Sequence, residues 1–275
     1  MFRSVLISLI LAAGVVFTSP APAQQARGND LHWHSLAPGV DYVHIPLFGG
    51  KKLADSLHVV RIDPRRAKII ALSGNDHGKR SRTARQWCNE FNLLAVINAG
   101  MYDVDATTHV GYMRTPASVN SRRWNSVYES ILLLDGLSPG RPPARILDRS
   151  EVNESTLRSF GTVIQNLRLI KHPGVNVWRE QQKTWSEAAI AEDAFGNILF
   201  LFLQKPLSMH EFNSRILAAG LGVVRAMHAE GGSEASLSLC ADSLRLHLSG
   251  SRENGIREDG DMVQLPIPNI VGVQR

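Results

Sequence analysis

Residues 223–240 read VVRAMHAEGGSEASLSLC. The first half, Val223 to Ala229, is mostly apolar or small, as a buried strand is. The second, Ser236 to Cys240, alternates polar with apolar, as a half-buried strand does. Between them the chain passes from Glu230 into Gly231-Gly232, two positions with no side chain. A carboxylate leaving a buried strand beside bare backbone lets a substrate reach both the acid and exposed N–H groups. Neighbours such as Ala229 and Met227 would desolvate Glu230, raise its pKa and turn it into a proton donor. Read without chemistry, the same stretch is a glycine turn with solvated glutamates.

A second junction of this kind lies far upstream. Leu93 to Ile97 reads as a buried strand that runs into Asn98-Ala99-Gly100-Met101-Tyr102, where small residues permit a tight backbone path. If both junctions line one concave site, Asn98 and Glu230 must converge where their strands end. A helix precedes the first junction, with Ala84, Trp87, Cys88 and Phe91 on one face and Ser81 or Thr83 as its cap. Trp185 to Glu192 and Ile198 to Leu203 flank Asp193-Ala194-Phe195-Gly196-Asn197 as a hairpin. Ser208-Met209-His210-Glu211 reads as a capping box for a helix closed by Gly220. Strands are also expected within Leu31 to Ile45, at Leu57 to Ile62 and Lys68 to Leu72 around Asp63-Pro64, and at Leu244 to Leu248. Residues 103–150 read as loop-rich because of Pro116, Pro139, Pro142 and Pro143, with a strand at Ser130 to Leu134. The fold class expected is α+β: a single mixed α/β domain with a twisted, largely antiparallel or mixed sheet and a few helices.

The 275 residues are 44% hydrophobic and 20% charged, enough for a real core. Residues 1–23 read as a signal peptide: Arg3 is the positive start, Val5 to Phe17 the uncharged apolar run, and Ala21-Pro22-Ala23 the cleavage pattern. Residues 24–30 are polar and expected to be flexible, which leaves 31–275 as the domain. No later stretch is apolar for long enough to span a bilayer, so a periplasmic or secreted protein is expected. The net charge of +5 favours an anionic ligand or an envelope surface. No helix-turn-helix, zinc-finger or RNP pattern accompanies the basic clusters, which argues against nucleic acid. Cys88 and Cys240 either pair or stay buried apart; the second reading is favoured because Cys88 sits on an apolar helical face. His32 and His34 flank Trp33 without further ligands, and Asp103 and Asp105 lack the rest of a calcium loop, so no metal or cofactor is expected. Gly-x-Ser-x-Gly, P-loop, His-Glu-x-x-His and Cys-x-x-Cys patterns are missing, which removes the usual hydrolase and redox readings.

Five stretches in order resemble the phosphodiester glycosidase family, many of whose members are exported bacterial proteins. They are Arg61-Ile62-Asp63-Pro64, Asn98-Ala99-Gly100-Met101-Tyr102, Gly111-Tyr112, Ala189-Ile190-Ala191, and Glu230-Gly231-Gly232 with Ser236-Leu237. The resemblance runs from about Leu57 to the C-terminus. Asn98 and Gly100 match the Asn and second Gly of the family's Asn-Gly-Gly-Phe-Phe stretch, and Glu230-Gly231-Gly232 matches its Asp-Gly-Gly. Glu187 stands where the family has the arginine of an Arg-Thr-Ala-Ile-Gly stretch. The resemblance implies a hydrolase of an envelope or extracellular glycan or of a sugar-1-phosphodiester; a glycan-binding protein of the same fold is the alternative. The candidate catalytic residues are Glu230, Asn98, Glu187 and His228, with His109 a further histidine beside these motifs. The candidate substrate-binding residues are Gly100, Tyr102, Arg114, Gly231, Gly232 and Glu234, with Arg114 the group expected to meet an anion.

Overall fold

The structure is a computed structural model and describes residues 31–49, 52–137, 140, 142–251 and 264–275. The leader expected over 1–23 and the polar segment 24–30 lie outside the described residues.

The described chain opens with β1 (His34–Ala37), β2 (Val40–Pro46), β3 (Ser56–Ile62), β4 (Ile69–Ser73), α1 (Ala84–Glu90) and β5 (Leu93–Asn98). Shorter elements follow: β6 (Met113–Arg114), β7 (Val119–Ser121), β8 (Ser130–Gly136), β9 (Ala144–Asp148), α2 (Glu154–Arg158), β10 (Phe160–Asn166), β11 (Arg168–Lys171) and β12 (Val175–Asn176). The chain then forms β13 (Trp185–Asp193), β14 (Ile198–Leu207), α3 (Met209–Ala218), β15 (Val223–Gly231), β16 (Ser236–Ala241), β17 (Leu244–Ser249) and β18 (Asn269–Gln274).

These strands form three sheets where one was expected. The first runs β1-β2-β3-β14-β13-β15-β11-β12, the second β7-β6-β10-β8-β9, and the third β17-β16-β5-β18-β4. Every pairing between them is antiparallel. Sheet therefore predominates over helix in this α+β fold.

Side-chain alternation explains the layering. Val60, Ile190 and Phe200 of the first sheet, Leu132 and Ile164 of the second, and Ile97 and Leu239 of the third share one buried core. Each sheet carries a helix on its other face. Phe212 and Ile216 of α3 pack on Leu201 and Ala189, Trp87 of α1 packs with Val96 and Ile270, and Leu157 of α2 packs with Ile131 and Val163. With both faces covered, central strands such as β5 and the first half of β14 are buried without a break.

Thr83 caps α1, accepting from the backbone N–H of Gln86, whose side chain accepts from the N–H of Thr83 in return. The box expected at α3 is only half formed. Ser208 accepts from the Glu211 N–H, but the Glu211 carboxylate is held by Arg215 one turn on. Gly220 takes the left-handed position after that helix as expected.

One expectation is extended and one is corrected. Residues 103–150 are loop-rich as expected, but besides the expected strand at Ser130 to Leu134, which lies in β8, they hold β6, β7 and β9, so that four of the five strands of the second sheet come from this stretch. Pro116, Pro142 and Pro143 fall between strands, and the buried and half-buried positions of β9 alternate strictly. Cys88 and Cys240 are not separate thiols: a disulfide joins α1 to β16. The apolar face that suggested an isolated cysteine is the face that docks on β16, bringing the two sulfurs together.

Candidate functional site

Asn98 ends β5, and its side chain ties the two junctions together. Its Nδ2 donates to the Glu234 carbonyl at 3.0 Å, and its Oδ1 accepts from the Ser236 N–H at 2.8 Å. The convergence of Asn98 with the Glu230–Ser236 turn is therefore direct, and Asn98 acts there through the backbone. Asn98 is buried, so Asn98→Ala would strand one N–H and one C=O. The expected cost is about 2–3 kcal/mol in denaturant unfolding, and a loss under 0.5 kcal/mol would show that the tie does not hold the turn.

A bulge decides where Glu230 points. In the β13–β15 ladder Ala189 pairs with His228 but Ala188 pairs with Glu230, so Ala229 is the extra residue. Without it, His228 and Glu230 would share a face; with it, Glu230 turns to the side of Ala188 and Ala229, toward the common core. His228 stays on the side of Glu187 and Trp185. There its Nδ1 lies 2.5 Å from Glu187 Oε1, while Trp185 Nε1 donates to Glu187 Oε2 at 2.8 Å. Glu187 thus has both oxygens engaged. Gly231 makes this packing possible, since a methyl group there would lie 2.7 Å from Trp185 Cδ1 and 3.4 Å from His228 Cε1.

The electrostatics follow from burial. Glu230 is 9% exposed, and desolvation pushes its carboxyl up to about 7. The charge of His228 and the Gly231 N–H, which donates to Oε1 at 3.0 Å, pull it back only partly. Burial disfavours the His228 cation, but the charge and hydrogen bond of Glu187, aided by Glu230, outweigh it and leave the pKa raised. Burial also pushes the Tyr102 phenol up to about 12, with the charges of Glu230 and Glu234 adding to the effect. Tyr128 is raised by burial and then by Glu230. Both phenols therefore stay protonated beside the acid.

Gly100 lies against the floor of the first junction: a methyl group there would sit 2.2 Å from His109 Cε1 and 2.3 Å from Asn166 Oδ1. His109 Nε2 donates to the Gln165 carbonyl at 2.9 Å, and burial drives its pKa down to about 4. A neutral, fully buried His109 supports the floor and is not a proton carrier at neutral pH. Glu234 sits on the turn and accepts from the Ser233 hydroxyl at 2.7 Å.

The structure does not bring Arg114 to this turn. In β6, Met113 faces the common core, so Arg114 faces the opposite side of the second sheet. There it donates to the carbonyls of Leu157 and Phe160, each at 2.7 Å, and does not meet Glu230. Tyr128 was missed by sequence reasoning because it stands outside every motif. It lies just after a turn and two residues before β8, where its N–H donates to the Asn125 carbonyl, and no periodic pattern marks it. His32 and His34 are exposed, and Asp105 is occupied by Thr107 and Thr108 of its own loop. Two cavities of about 400 and 420 Å³ lie elsewhere, one lined by Arg65, Arg66 and Lys68, the other by Glu192, Phe195 and Arg225.

Comparison with known proteins adds three findings. The profile of the phosphodiester glycosidase family matches residues 91–274, about two thirds of the chain. No curated protein sequence matches. Among solved structures, the chain is similar to the zebrafish N-acetylglucosamine-1-phosphodiester alpha-N-acetylglucosaminidase catalytic domain auto-inhibited by its pro-peptide. That similarity has a TM-score of 0.61 at 12% identity, over 88% of this chain and 85% of that one. It is also similar to a hypothetical protein from Synechocystis, with a TM-score of 0.55 at 16% identity, over 85% of this chain and 61% of that one.

Proposed function

The chain belongs to the phosphodiester glycosidase family, and from that premise we propose that it is an exported glycosidase-like hydrolase acting on an envelope or extracellular glycan. The observation that carries this reading is Glu230. It is a buried carboxyl with its pKa pushed up to about 7, set where two strand-to-glycine junctions meet. A carboxyl so placed is half protonated at neutral pH, which suits general-acid catalysis.

In the proposed reaction the Glu230 proton passes to the oxygen that leaves the sugar, and the bond between that oxygen and the anomeric carbon breaks. Water adds to the anomeric carbon, and its proton goes to a second carboxylate, which also offsets the positive charge on the ring. Glu187 is held on both oxygens by Trp185 and His228, so Glu234 is the better placed of the two for that role. Tyr102 and Tyr128 offer neutral hydroxyl donors to the sugar. Export is proposed from the leader pattern in the sequence. Among the described residues no helix is long and apolar enough to cross a membrane.

The test is a screen of purified protein lacking residues 1–23 against aryl glycosides and sugar-1-phosphodiesters. Release of sugar from either class supports the hydrolase. Binding of a glycan without release from any substrate would replace it with a glycan-binding protein.

A further inference from the structure

We propose that the cavity of about 420 Å³ at the far end of the first sheet binds a sugar residue of a neutral glycan, as a docking site separate from the Glu230 turn. The inference rests on the glycan reading above and adds a second place of contact to it. Its position follows from the β13–β15 ladder, in which Glu187 pairs with Gly231 at one end and Asp193 with Val223 at the other. The six residues of strand from Glu187 to Asp193 span about 20 Å. A small glycoside bound at Glu230 therefore does not reach the cavity.

Among the described residues, the cavity joins an exposed aromatic ring to planar polar groups whose hydrogen-bonding capacity is not all used. The ring is Phe195, 80% exposed at the tip of the β13–β14 hairpin. The tip is held in shape by Asp193, whose Oδ1 accepts from the N–H groups of Phe195 and Asn197, each at 2.9 Å, and whose Oδ2 accepts from Asn197 Nδ2 at 2.8 Å. Arg145 lies 3.7 Å from Glu192, beyond hydrogen-bond length, so its guanidinium is placed while its donors stay open. Glu192 Oε2 accepts from the Ile146 N–H at 2.6 Å, which leaves Oε1 as an acceptor beside Arg145. Arg225, only 5% exposed, also lines the cavity; its Nη2 donates to Glu151, and its Nε has no hydrogen-bond partner.

A sugar ring suits this combination. It has an apolar C–H face that packs on an aromatic ring, and hydroxyls that both donate and accept. A guanidinium set beside a carboxylate matches two neighbouring hydroxyls. The charges are paired, Arg145 with Glu192 and Arg225 with Glu151, so the cavity favours a neutral polar ligand over an ion. Its volume falls within the usual range of small-ligand sites, about 300–1,000 Å³.

The test is isothermal titration of wild type, Phe195→Ala and Arg145→Gln with maltohexaose, cellohexaose, chitohexaose and mannohexaose, and with heparin as a polyanion. At least one neutral hexasaccharide is expected to bind, with its Kd raised by about fivefold or more in each variant. Phe195→Ala should leave Tm unchanged, because the ring stands in solvent. It should also leave turnover of aryl glycosides unchanged, since the cavity lies out of reach of the Glu230 turn. Failure of every neutral hexasaccharide to bind, binding of heparin alone, or a Kd left unchanged by either variant overturns the inference, whatever the enzyme assay shows. Hexasaccharide binding weakened by both variants, with no turnover of any substrate, withdraws the hydrolase reading and leaves this site in place.

Discussion

Glu230→Gln is expected to lower the hydrolysis rate by about 10²–10⁴, with much of the substrate affinity retained. Glutamine keeps the volume and hydrogen-bonding outline of the protonated acid but has no proton to give. The buried side should tolerate it, because the native site already disfavours the charged form of Glu230. The wild-type rate should fall as pH rises through about 7, where the donor loses its proton. Stability should move in the same direction. The folded carboxyl holds its proton above the unfolded value of 4.5, so this contribution is complete below that value and is lost as pH rises through about 7. His228, also raised, has the same sign: its contribution is complete below 6.5 and is lost as pH rises through its folded value. Thermal melts from pH 5 to pH 8 should therefore decline, and Glu230→Gln should flatten the acidic part of that decline. A variant that keeps its rate within tenfold and still shows the alkaline loss of activity would assign the proton to another group.

Removing the disulfide is the second large effect. Cys88 and Cys240 are separated by 152 residues, and closing so long a loop restricts the unfolded chain more than a short bridge would. Cys88→Ala with Cys240→Ala is expected to cost about 3–5 kcal/mol, or roughly 10 °C in Tm. The loss should fall on α1 and the third sheet, because β16 is held by the bridge on one side and by Asn98 at its start. Hydrogen exchange should show β16 and α1 opening together in the variant. Unchanged protection there, or a Tm within 2 °C of wild type, would show that packing of Trp87 and its neighbours suffices without the bridge.

Much of the fold follows from local pattern. The hairpin of β13 and β14, the Thr83 cap of α1, the left-handed Gly220 after α3 and the strand-to-glycine course of β5 and β15 are all set by residues close in sequence. Alternation, capping and glycine placement act over a few residues, so the chain carries these signals wherever it folds. The second sheet was less legible because β6 and β7 are only two and three residues long, too short to show alternation, and prolines mark the turns beside them. The disulfide was missed for a different reason: burial of a cysteine says nothing of what lies across the interface.

At the site, the sequence by itself determined which residue types are present: a carboxylate before two glycines, an asparagine after a buried strand, and a glutamate two residues past a tryptophan. Only the tertiary structure decided their roles. The extra residue at Ala229 sends Glu230 to the core side and leaves His228 with Glu187. The parity of β6 takes Arg114 away, and the turn before β8 brings in Tyr128. A one-residue shift in a strand reverses the face of every side chain after it, and where that shift falls is settled by pairing with strands distant in sequence. The chemistry available was written locally, and its direction was fixed by the contacts between sheets.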